Sequence, residues 1–178
     1  MAEEKKEVWL NYLALTTVIF AVCATLSTFK GGGFSTRSVM SQSQASDQCA
    51  YFQAKSIKSY IYQVQRETLE IKLLDLPKSS PEALTNTLKE KIADYKKKVE
   101  KYEQEKSDIQ EKAKQLESVR DEASKHSQAF GMAVIFLQIA ILLSSIAGLL
   151  KKKAVWYGGI AAGLVGIVYF TDGFLLFL

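Results

Sequence analysis

Charge divides this chain into alternating blocks. It is absent from Val8 to Phe29, crowded from Lys30 to Lys125, and absent again from Ser127 to Leu150. After Lys151-Lys152-Lys153 it is absent once more from Ala154 to Thr171. A charge-free apolar run of roughly 18 residues or more is long enough to cross a bilayer as a helix. The pattern therefore predicts an all-α membrane protein with three transmembrane helices and a long polar insertion between the first and second. The expected segments are an N-terminal tail and first span over 1–30, a soluble helical hairpin over 31–127, a second span over 128–150, and a basic loop, third span and apolar tail over 151–178.

Within the insertion, Gly31-Gly32-Gly33 is expected to break the helix, because glycine loses the most backbone freedom on folding and has no side chain to pack. Helix is expected again from about Ser38 to Leu76. A turn follows near 76–81, where Pro77 cannot continue a helix, Ser80 suits an N-cap and Pro81 suits a first helical position. The next helix runs to Lys125 without Gly or Pro and carries a heptad seam: Leu88, Ile92, Tyr95, Val99, Tyr102, Lys106, Ile109, Ala113, Leu116, Arg120 and Ala123. A weaker seam lies on the preceding helix at Ala50, Ala54, Ile57, Ile61, Val64, Thr68 and Ile71. Pairing them predicts an antiparallel coiled-coil hairpin with layers Val64/Ile92, Ile61/Tyr95, Ile57/Val99 and Ala54/Tyr102. Lys106 and Arg120 are expected to snorkel outward or meet Asp47. Phe52, Tyr62, Leu69, Leu73 and Leu76 then fall on the back of the first leg, where they are expected to contact another subunit.

Small residues mark helix contacts in lipid because they let backbones approach. Ala14, Thr17, Ala21, Thr25 and Thr28 share one face of the first span, and Ala140, Ser144 and Gly148 one face of the second. Gly159, Gly163 and Gly166 mark the third as a further candidate subunit contact. Trp9, Trp156 and Tyr157 suit one headgroup interface. The flank Glu3-Glu4-Lys5-Lys6-Glu7 is not a net-basic leader and the run after it outlasts a signal peptide's apolar core, so the first span reads as uncleaved.

Composition adds mainly exclusions. The net charge is +4, and acids alternate with bases between Glu82 and Lys125, which is not the clustered footprint of a nucleic-acid binder. Cys23, Cys49 and His126 have no metal-ligand spacing. Three glycines with neither a preceding strand nor a Lys-Ser/Thr ending do not make a phosphate loop. His126 lies between Lys125 and Ser127 and reads as a solvated interfacial residue, while Tyr95 and Tyr102 read as seam packing. Thus no catalytic, cofactor-binding or metal-binding residue is expected, and no enzyme activity.

The segments from Asn11-Tyr12-Leu13-Ala14-Leu15-Thr16-Thr17 through Ser27-Thr28-Phe29-Lys30-Gly31-Gly32-Gly33, then Ser43-Gln44-Ala45-Ser46-Asp47-Gln48, resemble a bacterial membrane-protein family catalogued as domain of unknown function 4337. Lys151-Lys152-Lys153-Ala154-Val155-Trp156-Tyr157 and Asp172-Gly173 extend the resemblance over nearly the whole chain. Members often carry Trp where this chain has Cys49. The resemblance implies a bacterial integral membrane protein and transfers no catalytic residue.

The expected function is a non-enzymatic, homo-oligomeric, membrane-anchored coiled-coil scaffold whose partners are the bilayer and itself. The alternatives are an oligomeric channel lined by Thr17, Thr25 and Gln138, or a signalling hairpin. Basic short loops stay cytoplasmic. The triple lysine is therefore expected inside the bacterial inner membrane, with the hairpin and Leu178 on the periplasmic side.

Overall fold

The computed structural model describes residues 8–177; the N-terminal tail and Leu178 lie outside the described residues. The described chain is three helices: α1 (Val8–Leu74), α2 (Glu82–Leu150) and α3 (Lys153–Leu175). All three contain stretches long and apolar enough to cross a membrane. The contacts divide the described residues into two units, one built from those up to Met40 together with those from Val119 on, the other from 41–118.

The predicted glycine break does not occur: α1 passes unbroken through Gly31-Gly32-Gly33. Each glycine inside a helix costs about 1 kcal/mol relative to alanine, whereas opening the ladder beside an apolar stretch strands several backbone groups. Gly31 also serves packing, because a Cβ there would lie 3.0 Å from Phe130 Cβ. The expected turn is present, with Ser80 N–H donating to Pro77 O and the Pro81 carbonyl accepting from Leu84 and Thr85 at the entrance of α2. α2 continues without a break to Leu150. It stops at Lys151, which takes a left-handed φ of 51°, while Lys152 N–H reaches back to Ala147 O. This is a glycine-type helix stop made with lysine. The charge-free run of α3 ends before Asp172, but the helix runs on to Leu175. Asp172 instead caps it from within: its carbonyl accepts from Leu176 N–H and its Oδ1 from Phe177 N–H.

The first unit packs small residues against a few large ones. Phe20, Ala24, Ala133, Leu137 and Ala140 form the core, flanked by Cys23, Ile141, Ala162, Ile167, Tyr169 and Phe170. The α3 glycines receive the large side chains. A Cβ at Gly163 would lie 2.2 Å from Phe20 Cζ, at Gly166 2.7 Å from Leu137 Cγ, and at Gly159 3.2 Å from Ala140 O. Gly159, Gly163 and Gly166 are therefore spent within one chain and are not free for a neighbouring subunit. On the first span Ala14, Ala21, Thr25 and Thr28 are exposed and Thr17 is half-buried, while Phe20, Ala24, Ser27 and Gly31 turn inward. A glycine-lined α3 needs a protruding knob opposite it, which Phe20 provides. On α2 the expected line holds, with Ala140 and Ser144 buried.

In the second unit α1 and α2 run antiparallel, with Phe52 near Lys106, Lys55 bridged to Glu105 and Tyr62 against Tyr95. The α2 seam lies where expected, with Ile92, Tyr95, Val99 and Tyr102 all partly covered. The α1 seam is reversed. Ile57, Ile61 and Val64 are 61, 48 and 42% exposed, and Ala54 is exposed too. Residues expected on the back, Phe52, Tyr62, Leu69, Leu73 and Leu76, are covered instead, together with buried Ala45 and Ser59. The expected layers Ile57/Val99 and Ala54/Tyr102 are thus replaced by Ser59/Glu103 and Tyr62/Tyr102. The physical reason is that the inward stripe alternates apolar residues with Lys55, Ser59 and Arg66. Those polar members have partners or aliphatic stems that pack, so a count of apolar positions alone passes the stripe over.

The glycine contacts make a sharp expectation. Gly163→Leu has no room beside Phe20 and should destabilise the first unit by about 1–3 kcal/mol, the usual scale of overpacking. Gly158→Ala meets nothing within 4 Å and should be neutral or slightly stabilising. Thermal unfolding of both variants in detergent, followed by circular dichroism, separates them.

Candidate functional site

The densest chemistry of the second unit lies where its helices cross between Phe52 and Lys106. Ser59 is buried and donates to Glu103 Oε1 at 2.7 Å. Lys106 donates to both oxygens of the same carboxylate at 2.9 Å, while its ammonium sits 5.5 Å from the Phe52 ring centroid. Lys106 is thus held by its own helix and a ring, not by Asp47. Arg120, in the first unit, pairs with adjacent Asp121 at 2.8 Å.

Next to this node, Lys55 bridges to Glu105 at 2.5 Å and covers the Tyr102 ring at 5.4 Å. Tyr62 stacks on Tyr102 at 5.8 Å and tilts against Tyr95 at 5.5 Å. Lys98 lies 5.1 Å over Tyr62 and pairs with Asp94 at 2.8 Å. Such cation–ring contacts are weak at exposed sites, where water screens the ammonium. The hydrogen bond from Lys106, then that from Ser59, holds the Glu103 carboxyl below its usual pKa. The Lys55 hydrogen bond does the same for Glu105. Reciprocally, Glu105 raises Lys55 and Asp94 raises Lys98.

The first unit has an aromatic group at each end. Trp9 and Trp156 approach to 6.1 Å, Tyr157 stacks on Trp156 at 5.5 Å, and Lys153 lies 6.0 Å over Trp9. Trp156 Nε1–H donates to Thr16 Oγ1 at 3.3 Å. At the other end His126 is not a freely solvated residue. It is half-buried, stacks on Phe34 at 4.4 Å, and brings Nδ1 within 2.8 Å of Gly173 O. A carbonyl only accepts, so this contact assigns the proton to Nδ1. Phe130 completes the group beneath Gly173, where a Cβ would lie 2.7 Å from its ring.

Other candidate residues separate. Thr17 and Thr25 return their hydroxyls to Leu13 O and Ala21 O in their own helix, and Gln138 is exposed. Cys23 is half-buried in the first unit, whereas exposed Cys49 borders a groove of ≈ 320 Å³ lined by Gln48, Phe52, Ile109 and Ala113. Among the described residues no group of three His, Cys, Asp or Glu is placed to hold a metal ion. Sequence reasoning missed the Ser59–Glu103–Lys106 node and the His126 cap. The available signal for the node was that Ser59 and Tyr62 keep heptad spacing with Phe52 and Leu69.

These features define a class: an all-helical protein whose two long helices pack together and whose apolar parts are joined by a glycine-faced third helix. The chain belongs to the family described as domain of unknown function 4337 (DUF4337), which matches residues 9–176. No curated protein and no solved structure matches it.

The ion pairs set the pH response of the second unit. Carboxyls with lowered pKa stabilise the fold above the ordinary glutamate value, and that contribution fades as pH falls through their folded values. Lysines with raised pKa contribute fully below about 10.4 and lose that contribution as pH rises through their folded values. Unfolding temperature should therefore be flat around neutrality and fall at both extremes. Glu105→Lys should lower it at pH 7, and adding Lys55→Glu should recover most of the loss. Circular dichroism melts of the full chain in detergent across pH read both effects.

Proposed function

We propose that this protein is a membrane-anchored, homo-oligomeric helical scaffold of the bacterial inner membrane, without enzymatic activity. In this reading the first unit is the anchor, with α1, α2 and α3 each contributing a span, and the second unit is a coiled-coil hairpin in the periplasm. The observation that carries it is the inverted distribution of side-chain size in the first unit. Its buried positions are mostly Ala, Gly and Ser, while Leu15, Val18, Val22, Ile135, Leu142 and Leu164 are exposed. In water that surface would be an unsupported apolar patch. In lipid, large aliphatic residues outside and small residues at helix contacts are the stable arrangement.

The aromatic group around Trp9, Trp156 and Tyr157 supports one headgroup interface, because amphipathic rings favour that depth. The three adjacent lysines support placing that end in the cytoplasm. Its other features are packing features: the polar groups of the hairpin neutralise one another, and Thr17, Ser27, Thr28 and Ser145 of the apolar stretches bond back to their own helices. Both suit a structural or assembling role.

Topology is the direct test. With Cys23 and Cys49 replaced by serine, a cysteine at Lys97 should be labelled by an impermeant maleimide in intact spheroplasts. A cysteine at Lys152 should react only after lysis. Labelling in the reverse order would overturn the orientation, and recovery of the chain in the soluble fraction would overturn the anchor.

A further inference from the structure

The reversal of the α1 seam leaves a second heptad stripe on the outside of the second unit. Ala54, Ile57, Ile61, Val64, Thr68 and Ile71 keep alternating steps of three and four, and the large members are exposed. Sustained spacing of this kind is the recognition element of one helix by another, with Ala54, Ile61 and Thr68 as a positions and Ile57, Val64 and Ile71 as d positions. The within-chain partner is already used on the opposite face, by Phe52, Tyr62 and Leu69.

We infer that this stripe is the self-association surface of the protein, and that it pairs with the same stripe of a second copy in parallel. The choice of occupant rests on charge. Glu67 falls at a g position and Lys72 at the e position five residues later, both exposed. In a parallel coiled coil each g residue meets the partner's e residue five positions on, so two copies form the Glu67–Lys72 pair twice. The preceding g–e pairs, Gln53 with Lys58 and Tyr60 with Gln65, bring no like charges together. An antiparallel arrangement would pair e with e and g with g, separating Glu67 from Lys72 and gathering Lys58 and Lys72 on one edge. Parallel pairing also follows from the anchored scaffold on which this inference rests, since copies inserted with one topology run α1 in the same direction. The contact is isologous, with the same patch on both copies.

The experiment is oxidative cross-linking of the full chain in native membranes, with Cys23 and Cys49 replaced by serine. Ile57→Cys, Ile61→Cys, Val64→Cys and Ile71→Cys should each give disulfide-linked dimers, because parallel a and d positions face their own copies. Lys97→Cys, on α2, should not. Glu67→Lys should reduce dimer yield, corresponding to a loss of roughly tenfold in association for two reversed pairs. Adding Lys72→Glu in the same chain should restore it. Cross-linking at only one or none of the four positions, while the detergent-solubilised particle still has a mass of several chains, would overturn this surface and leave the oligomeric scaffold standing. A particle with the mass of one chain would overturn both. Failure of Lys72→Glu to rescue Glu67→Lys would overturn the parallel arrangement.

Discussion

The unbroken hydrogen-bond ladder of α1 is the constraint on which the other features depend. A helix that cannot open keeps its rotational phase, so within each unit the residues it turns inward follow from one another. In the first unit these are Phe20, Ala24, Ser27, Gly31, Phe34 and Ser38. In the second they are Ser41, Ala45, Gln48, Phe52, Lys55, Ser59, Tyr62, Arg66, Leu69 and Leu73. Within each unit, steps of four and three alternate without a slip. Gly31 is therefore a packing residue at a heptad position and not a hinge.

The apolar unit is held together by a division of labour between large and small side chains. In a hydrocarbon environment, burying a leucine against protein gains little over leaving it in lipid, so close contact must come from shape. Phe20, Leu137 and Phe130 insert where α3 has Gly163, Gly166 and Gly173. On the membrane-anchor proposal, the same logic accounts for the large aliphatic residues of this unit lying outside. The tryptophan group and the His126–Phe34 stack close the two ends with rings that combine apolar faces and polar edges.

In the hairpin unit the interior is neither fully apolar nor loosely polar. Ser59, Glu103 and Lys106 satisfy one another beside Phe52, and Lys55 meets Glu105 beside Tyr102. Partly exposed pairs of this kind add little net stability. Their effect is on register, because a slip of one turn would separate the partners and bring apolar surface against charge. Placing these groups inside also frees the more uniformly aliphatic stripe, Ile57 to Ile71, for the outside.

What the chain's pattern alone determined was the three apolar stretches, the proline turn and the seam of α2 from Leu88 to Ala123; the continuity of α1 was not among these, since a break was expected at Gly31-Gly32-Gly33. Charge-free length and heptad spacing are local properties, and local rules read them well. Which stripe of α1 turns inward was settled only by tertiary structure. It depends on the partners that α2 brings opposite each stripe, such as Glu103 for Ser59 and Tyr102 for Tyr62. The inward face of the first span was not legible for a related reason, since a knob such as Phe20 is recognised only once its glycine socket on α3 is opposite. The Ser59–Glu103 bond, the Tyr62 stack and the His126–Gly173 contact join residues far apart in the chain. Their meaning as packing residues exists only when the helices bring them together.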